Sequence, residues 1–191
     1  MKPTIITLVF LLSTSVFGQL FESYKLFEDK FESKVSDAWQ PKSGNWKIQN
    51  GKYFQMENND HALCVLNGKD WNDIITRFKV QLVNGDAAKI YFRYNEKSHY
   101  VLELNEDRTQ SAFKYVENGK EKLLSEVDFG MDDDFHFVMI QTIEDRINIW
   151  IDSRNYVVST IKKASNGTIA IGTQNGQAWF DDIIVYKAKM N

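Results

Sequence analysis

Six of the ten glycines in this chain stand directly after an asparagine, at Asn50-Gly51, Asn67-Gly68, Asn84-Gly85, Asn118-Gly119, Asn166-Gly167 and Asn175-Gly176. Asn-Gly readily takes positive φ at both central positions of a type I′ turn, the turn that joins two antiparallel strands most tightly. Nearly all six are therefore expected to be tight turns. Between and beyond them lie short apolar or alternating runs, seen best over residues 135–186 as FHFVMIQT, RINIWID, YVVST, TIAIGT and QAWFDDIIVY. A period of two in short runs predicts strands rather than helices. Further strands are expected near 62–66, 73–83, 88–94, 100–105, 111–117 and 122–127, with a hairpin at WKIQ-NG-KYFQ. Residues 20–42 predict an edge strand and then a loop that ends before Pro41.

So many short strands, two prolines and no helical period predict an all-β fold, a two-sheet antiparallel jelly-roll sandwich that protects its edges. The turns differ in length and flanking sequence, which argues against a propeller. At 191 residues with 43% hydrophobic content, the chain can bury a core without disulfides. Cys64 is the single cysteine and lies in the apolar run ALCVL, so it reads as a buried small hydrophobe. A net charge of −3, with lysines and arginines scattered among acids, argues against a nucleic-acid partner.

The first residues predict export. Lys2 is followed by a run from Ile5 to Phe17 that is apolar apart from Thr and Ser, and Val16-Phe17-Gly18 supplies small residues before Gln19. Residues 1–18 are expected to be a signal peptide and 19–191 a single domain, secreted or periplasmic. The run is short for a membrane span, and no cysteine follows the cleavage site to carry a lipid, so membrane insertion is not expected.

Catalytic signals are sparse. Glu126-Val127-Asp128-Phe129 resembles the start of the Glu-x-Asp-x-x-Glu strand of jelly-roll glucanases, but Gly130 and Met131 stand where the third carboxylate belongs. His61, His99 and His136 have no metal-ligand spacing, and no serine has a nucleophile-elbow setting. No catalytic residue and no cofactor is assigned.

Four segments, in order, carry a likeness: GNWKIQNG from Gly44, IYFRY from Ile90 with Tyr100 beyond a polar turn, INIWID from Ile147, and FDDIIV from Phe180. They resemble the concanavalin A-like, laminin G-like jelly rolls, above all the bacterial sets with fructan-binding carbohydrate modules and 3-keto-disaccharide hydrolase domains. Where those often have an Asp-Gly turn, this chain has Asp152-Ser153-Arg154-Asn155. The resemblance implies two curved sheets with ligands on the concave face or at the loop rim.

Candidate ligand-binding residues follow. Ile147, Ile149 and Ile151 share one face of their strand, which leaves Asn148 and Trp150 on the other, where an indole suits the apolar face of a sugar ring. With Arg93 opposite Tyr100 across a four-residue loop, Tyr91, Arg93, Tyr100 and Leu102 would share a face, the guanidinium fork facing hydroxyls or pairing with Glu103 or Asp182. The resemblance adds weight to Arg93. Trp179 joins these candidates beside Asp181-Asp182, where the parity of Phe180 against Ile183 predicts either a strand buried on both faces or a bulge. A bulge would aim a carboxylate toward Asp29, and calcium is conceivable there with only two such side chains named. The expected function is binding of an oligo- or polysaccharide. A sugar-processing enzyme of the 3-keto-disaccharide type and a laminin G-like protein-adhesion module are the alternatives.

Overall fold

The computed structural model describes residues 24–58, 60–161 and 166–188, and these form fifteen strands and no helix. The segment read as a signal peptide lies outside the described residues. In chain order the strands are β1 (Lys25–Asp29), β2 (Trp39–Ser43), β3 (Trp46–Gln49), β4 (Lys52–Gln55), β5 (Ala62–Leu66), β6 (Ile74–Asn84), β7 (Ala87–Tyr94) and β8 (Ser98–Leu104). They continue as β9 (Ala112–Glu117), β10 (Lys120–Glu126), β11 (His136–Ile143), β12 (Arg146–Ile151), β13 (Arg154–Thr160), β14 (Thr168–Gln174) and β15 (Gln177–Lys187). One sheet has eight strands, β13-β12-β11-β6-β15-β4-β3 with β1 added on β15; the other has seven, β10-β9-β8-β7-β14-β5-β2. The chain passes back and forth between the sheets, and distant pairs such as β6 with β15 and β7 with β14 close the sandwich. The all-β, two-sheet architecture is the one expected.

Alternation explains the core. Phe78, Val80, Val138, Ile140, Ile147, Ile149, Phe180 and Val185 face inward from the eight-stranded sheet and meet Ile90, Phe92, Leu102, Phe113, Ile169 and Ile171 of the other. Each such side chain contributes about 1.5–3 kcal/mol when fully buried, so this layer carries most of the stability. Between β10 and β11 the chain crosses from one sheet to the other, and Val127, Phe129 and Met131 of that crossing are buried against the same core.

Asn-Gly makes hairpin turns at two of its six positions, whereas Asn67-Gly68, Asn84-Gly85 and Asn175-Gly176 lie between strands of opposite sheets. Asn50-Gly51 (φ 53° and 69°) and Asn118-Gly119 (φ 51° and 74°) have the left-handed pairs of type I′ turns. Asp152-Ser153 (φ 47° and 71°) makes the same kind of turn without glycine, and the Asp152 carboxylate ties it down by accepting from the Phe137 amide at 2.9 Å. Asn166-Gly167 is not a hairpin turn. Gly167 bridges to Trp71, and a Cβ there would sit 2.4 Å from the Arg93 carbonyl carbon, so glycine serves close approach.

Two local expectations need correction, and one open alternative is settled. Pro41 lies inside β2 rather than beyond it; β2 is an edge strand, where a missing N–H does no harm, and the register slips at Pro41–Ser43. The 95–98 hairpin pairs Tyr100 with Phe92, not with Arg93, so the register stands one residue from the expected one. The Asn95 carboxamide oxygen accepts from the amides of Lys97 and Ser98, and that compact turn sets the pairing. Finally, the alternative left open at Asp181-Asp182 resolves as a bulge: Asp182 has φ 47° and the register against β6 shifts between Asp181 and Ile184.

Candidate functional site

The six residues singled out by sequence do not gather on one face. Tyr100 lies in the central core, stacked on Phe92 at 5.7 Å, because its partner in the ladder is an inward residue. Arg93 is 1% exposed and takes a left-handed φ of 47° where β7 slips against β14, which turns its side chain between the sheets. There its Nη2 donates to the Glu144 carbonyl at 2.7 Å and to that of Asn72 at 3.4 Å, with Asp73 at 4.0 Å. Its acidic neighbour is thus Asp73, not Glu103 or Asp182, and the guanidinium fastens loops of the eight-stranded sheet to the seven-stranded one.

Asn148, Trp150 and Trp179 do face outward, on the eight-stranded sheet. The expected parity of β12 holds, with Asn148 donating to Gln141 Oε1 at 3.1 Å and Trp150 opposite Met139. Trp179 is stacked on Phe54 at 4.0 Å and an interplanar angle of 16°. Trp150 and Trp179 are separated by β11 and β6, roughly 14 Å across the sheet. Tyr91 alone of the six faces outward from the seven-stranded sheet.

Around Tyr91 the outer face of that sheet is recessed. Cross-strand pairing sets three rows: Leu63-Gly172-Lys89-Glu103, then Val65-Ala170-Tyr91-Val101-Lys114, then His99-Val116-Glu121. Ala170 and Gly172 on central β14 add little height. A pocket of about 390 Å³ results, lined by Leu63, Tyr91, Tyr94, His99, Val101 and Val116, with Asp60, His61, Lys89, Glu103, Glu121 and Gln174 completing the lining. Tyr91 lies edge-on to His61 (6.4 Å, 90°), to His99 (5.4 Å, 73°) and to Tyr94 (6.0 Å, 79°), so four rings form one cluster.

Charges in the pocket are paired in advance. Lys89 donates to Glu103 at 2.9 Å and to Gln174 Oε1 at 3.0 Å, while Lys114 reaches Glu103 at 2.5 Å and Glu121 at 3.1 Å. Burial by itself would raise the Glu103 carboxyl, but the hydrogen bonds and charges of Lys114 and Lys89 outweigh it and hold the group below the usual carboxylate range. Burial depresses both pocket histidines: Lys89 adds to the effect at His61, while at His99 a hydrogen bond to the Asn95 backbone opposes it. The pocket therefore offers neutral imidazoles, phenols and paired ions around an apolar floor.

Sequence reasoning found Tyr91 and missed Tyr94, His61, His99, Lys89 and Glu103. A signal was present. β7 reads AAKIYFRY and β14 reads TIAIGT, apolar or small at both parities, whereas β12 alternates cleanly. An antiparallel strand buried on both faces needs a second covering or a recess on its outer side.

Other candidates lie elsewhere. Glu126 ends an edge strand and Asp128 is exposed and paired with Arg108 at 3.3 Å, so the glucanase-like pair is outside the pocket. At the aspartate bulge, Asp29 accepts from the amides of Phe31 and Ser36, and Asp181 accepts from that of Asp182. Among the described residues no three carboxylate, histidine or cysteine side chains gather as a metal-ligand set.

Two antiparallel sheets of eight and seven strands, without a helix among the described residues, make a concanavalin A-like, galectin-like jelly roll, and solved structures bear this out. The carbohydrate-binding module CBM66 from Bacillus subtilis superposes with a TM-score of 0.72 at 16% identity, over 78% of this chain and 96% of that one. A Bacillus subtilis protein of unknown function with a galectin-like fold gives 0.72 at 12% identity, over 90% and 99%. The catalytic domain of an endo-1,3-β-glucanase (laminarinase) from Thermotoga petrophila gives 0.63 at 13% identity, over 88% and 99%. At the sequence level no family model matches, and no curated protein matches. The fold is thus shared with carbohydrate-binding modules and with glycosidases.

Proposed function

We propose that this chain is an exported glycan-binding module, and that the recess on the outer face of the seven-stranded sheet is its binding site. The observation that carries the reading is the make-up of that recess: apolar and aromatic side chains at its centre, flanked by paired ions and amides that hydrogen-bond hydroxyls. Sugars have the matching character, with apolar ring faces and hydroxylated edges. The shared fold agrees, since its neighbours include a carbohydrate-binding module and glycosidases.

Binding without turnover is favoured by the state of Glu103. Glycoside hydrolysis needs one carboxylic acid to protonate the leaving oxygen, with a raised pKa. Glu103 has the opposite tuning, held ionised by two lysines.

The test is retention of the 19–191 chain on immobilised inulin, laminarin, xylan and polygalacturonate, with the supernatant assayed for released sugar. The expected result is retention on at least one neutral polysaccharide without release. Tyr94→Ala should abolish retention and Trp150→Ala should leave it intact, because Trp150 belongs to the opposite sheet. Release of sugar would move the reading to an enzyme, and retention on nothing would sink it.

A further inference from the structure

The pocket contains two polar atoms that its own walls leave unused. Tyr91 is 4% exposed, yet its Oη has no hydrogen-bond partner among the described residues, and neither has Nδ1 of His99. The two residues stand on neighbouring strands with rings 5.4 Å apart, and both line the recess. A buried hydroxyl or ring nitrogen without a partner is costly, and native interiors keep few of them. The charged groups beside them differ, since Lys89, Glu103, Lys114 and Glu121 already satisfy one another.

We infer that Tyr91 and His99 are the specificity pair of this pocket, and that they select an uncharged sugar by receiving its hydroxyls at Tyr91 Oη and His99 Nδ1. This rests on the glycan reading above and goes beyond it by naming the atoms that choose the ligand and the charge class they accept. A phenol both donates and accepts, and an imidazole that keeps its proton toward Asn95 presents Nδ1 as an acceptor. Those two groups on adjoining rings suit two neighbouring hydroxyls. The charge class follows from the surroundings. Asp60, Glu103 and Glu121 line the pocket against Lys89, and Lys114 behind them pairs with Glu103 and Glu121, so with neutral imidazoles the carboxylates are in excess. A uronate or sulfate ester would add like charge and would have to take a lysine from Glu103 or Glu121, whereas a neutral ring displaces neither. Neither Tyr91 Oη nor His99 Nδ1 is open to solvent, and Tyr94 lies against both rings, 6.0 Å from Tyr91 and 5.1 Å from His99. Ligand entry therefore includes a shift of Tyr94.

The test combines affinity with thermal midpoint for the parent chain, Tyr91→Phe and His99→Phe, using whichever of inulin, laminarin or xylan the parent retains, with polygalacturonate as the charged probe. Each variant is expected to bind at least tenfold more weakly, while Tyr91→Phe melts at or above the parent's temperature, because removing an unpartnered hydroxyl breaks no bond. Polygalacturonate is expected to show no retention. A Tyr91→Phe chain that melts lower and binds as well as the parent would overturn the assignment, as would polygalacturonate retained as tightly as the neutral polymer. Should Tyr91→Phe fail to fold, the hydroxyl is structural and the assignment falls for Tyr91, with His99→Phe deciding the rest. Retention of the parent on none of the polymers removes the functional reading and this inference together, an outcome distinct from a parent that binds and variants that bind equally.

Discussion

Arg93 shows how a single side chain can look like a ligand group and serve as a fastener. Its charge-assisted bonds to the Glu144 and Asn72 carbonyls join one sheet to the loops of the other, and its backbone sits in the left-handed region beside Gly167, where no Cβ fits. Truncation removes those bonds and opens a cavity. Arg93→Ala is expected to lower unfolding stability by about 2–3 kcal/mol in urea titrations. Arg93→Met should recover much of the loss, since its stem fills the same space without a charge to bury. An Arg93→Ala chain as stable as the parent that no longer binds glycan would restore the ligand role its sequence setting suggested. Nothing in the order Tyr-Phe-Arg-Tyr announces the bulge, because arginine has no special affinity for positive φ. That is why the hairpin register and the burial of Tyr100 were illegible.

The strands β7, β8, β9 and β10 act as a unit, tied on their outer face by the Lys89-Glu103-Lys114-Glu121 chain of ion pairs. Glu103 is depressed, so the stability it contributes is present above its unfolded pKa near 4.5 and is lost as pH falls through the lower folded value. His61 and His99 are depressed from 6.5, so the unfolded chain takes up their protons first and stability declines as pH falls below that point. Stability is therefore expected to be level above about pH 7 and to decline in acid. Glu103→Gln leaves two lysines facing each other and should cost on the order of 3 kcal/mol at pH 7 while flattening the decline near pH 4. Equal stability of parent and variant across pH 4–8 would mean that the ion pairs are ornamental. At this scale the sequence was a good guide to strands: β5 falls on the expected 62–66, and β11 to β15 fall on the five runs first read as strands. Asn-Gly turns punctuate the chain and alternation marks the faces. What alternation could not reveal was the recess, which arises where both parities are apolar and only the opposite strand tells which side is open.

For the whole molecule, two outward faces compete for the role of binding surface. The eight-stranded sheet presents Trp150 and Trp179 far apart, Trp179 stacked on Phe54, together with the exposed Phe137 and Val158. The seven-stranded sheet presents a lined recess. Similarity at 12–16% identity shows the fold and leaves the choice of face to the chemistry of this chain. Side-chain and amide NMR spectra of the protein, recorded with and without a soluble oligosaccharide of a polymer it retains, decide between the faces. The account predicts shifts clustered at Leu63, Tyr91, Tyr94, His99, Val101 and Val116, with the five tryptophan indoles unmoved. Shifts clustered at Asn148, Trp150 or Trp179, with Tyr91 and His99 silent, would contradict it.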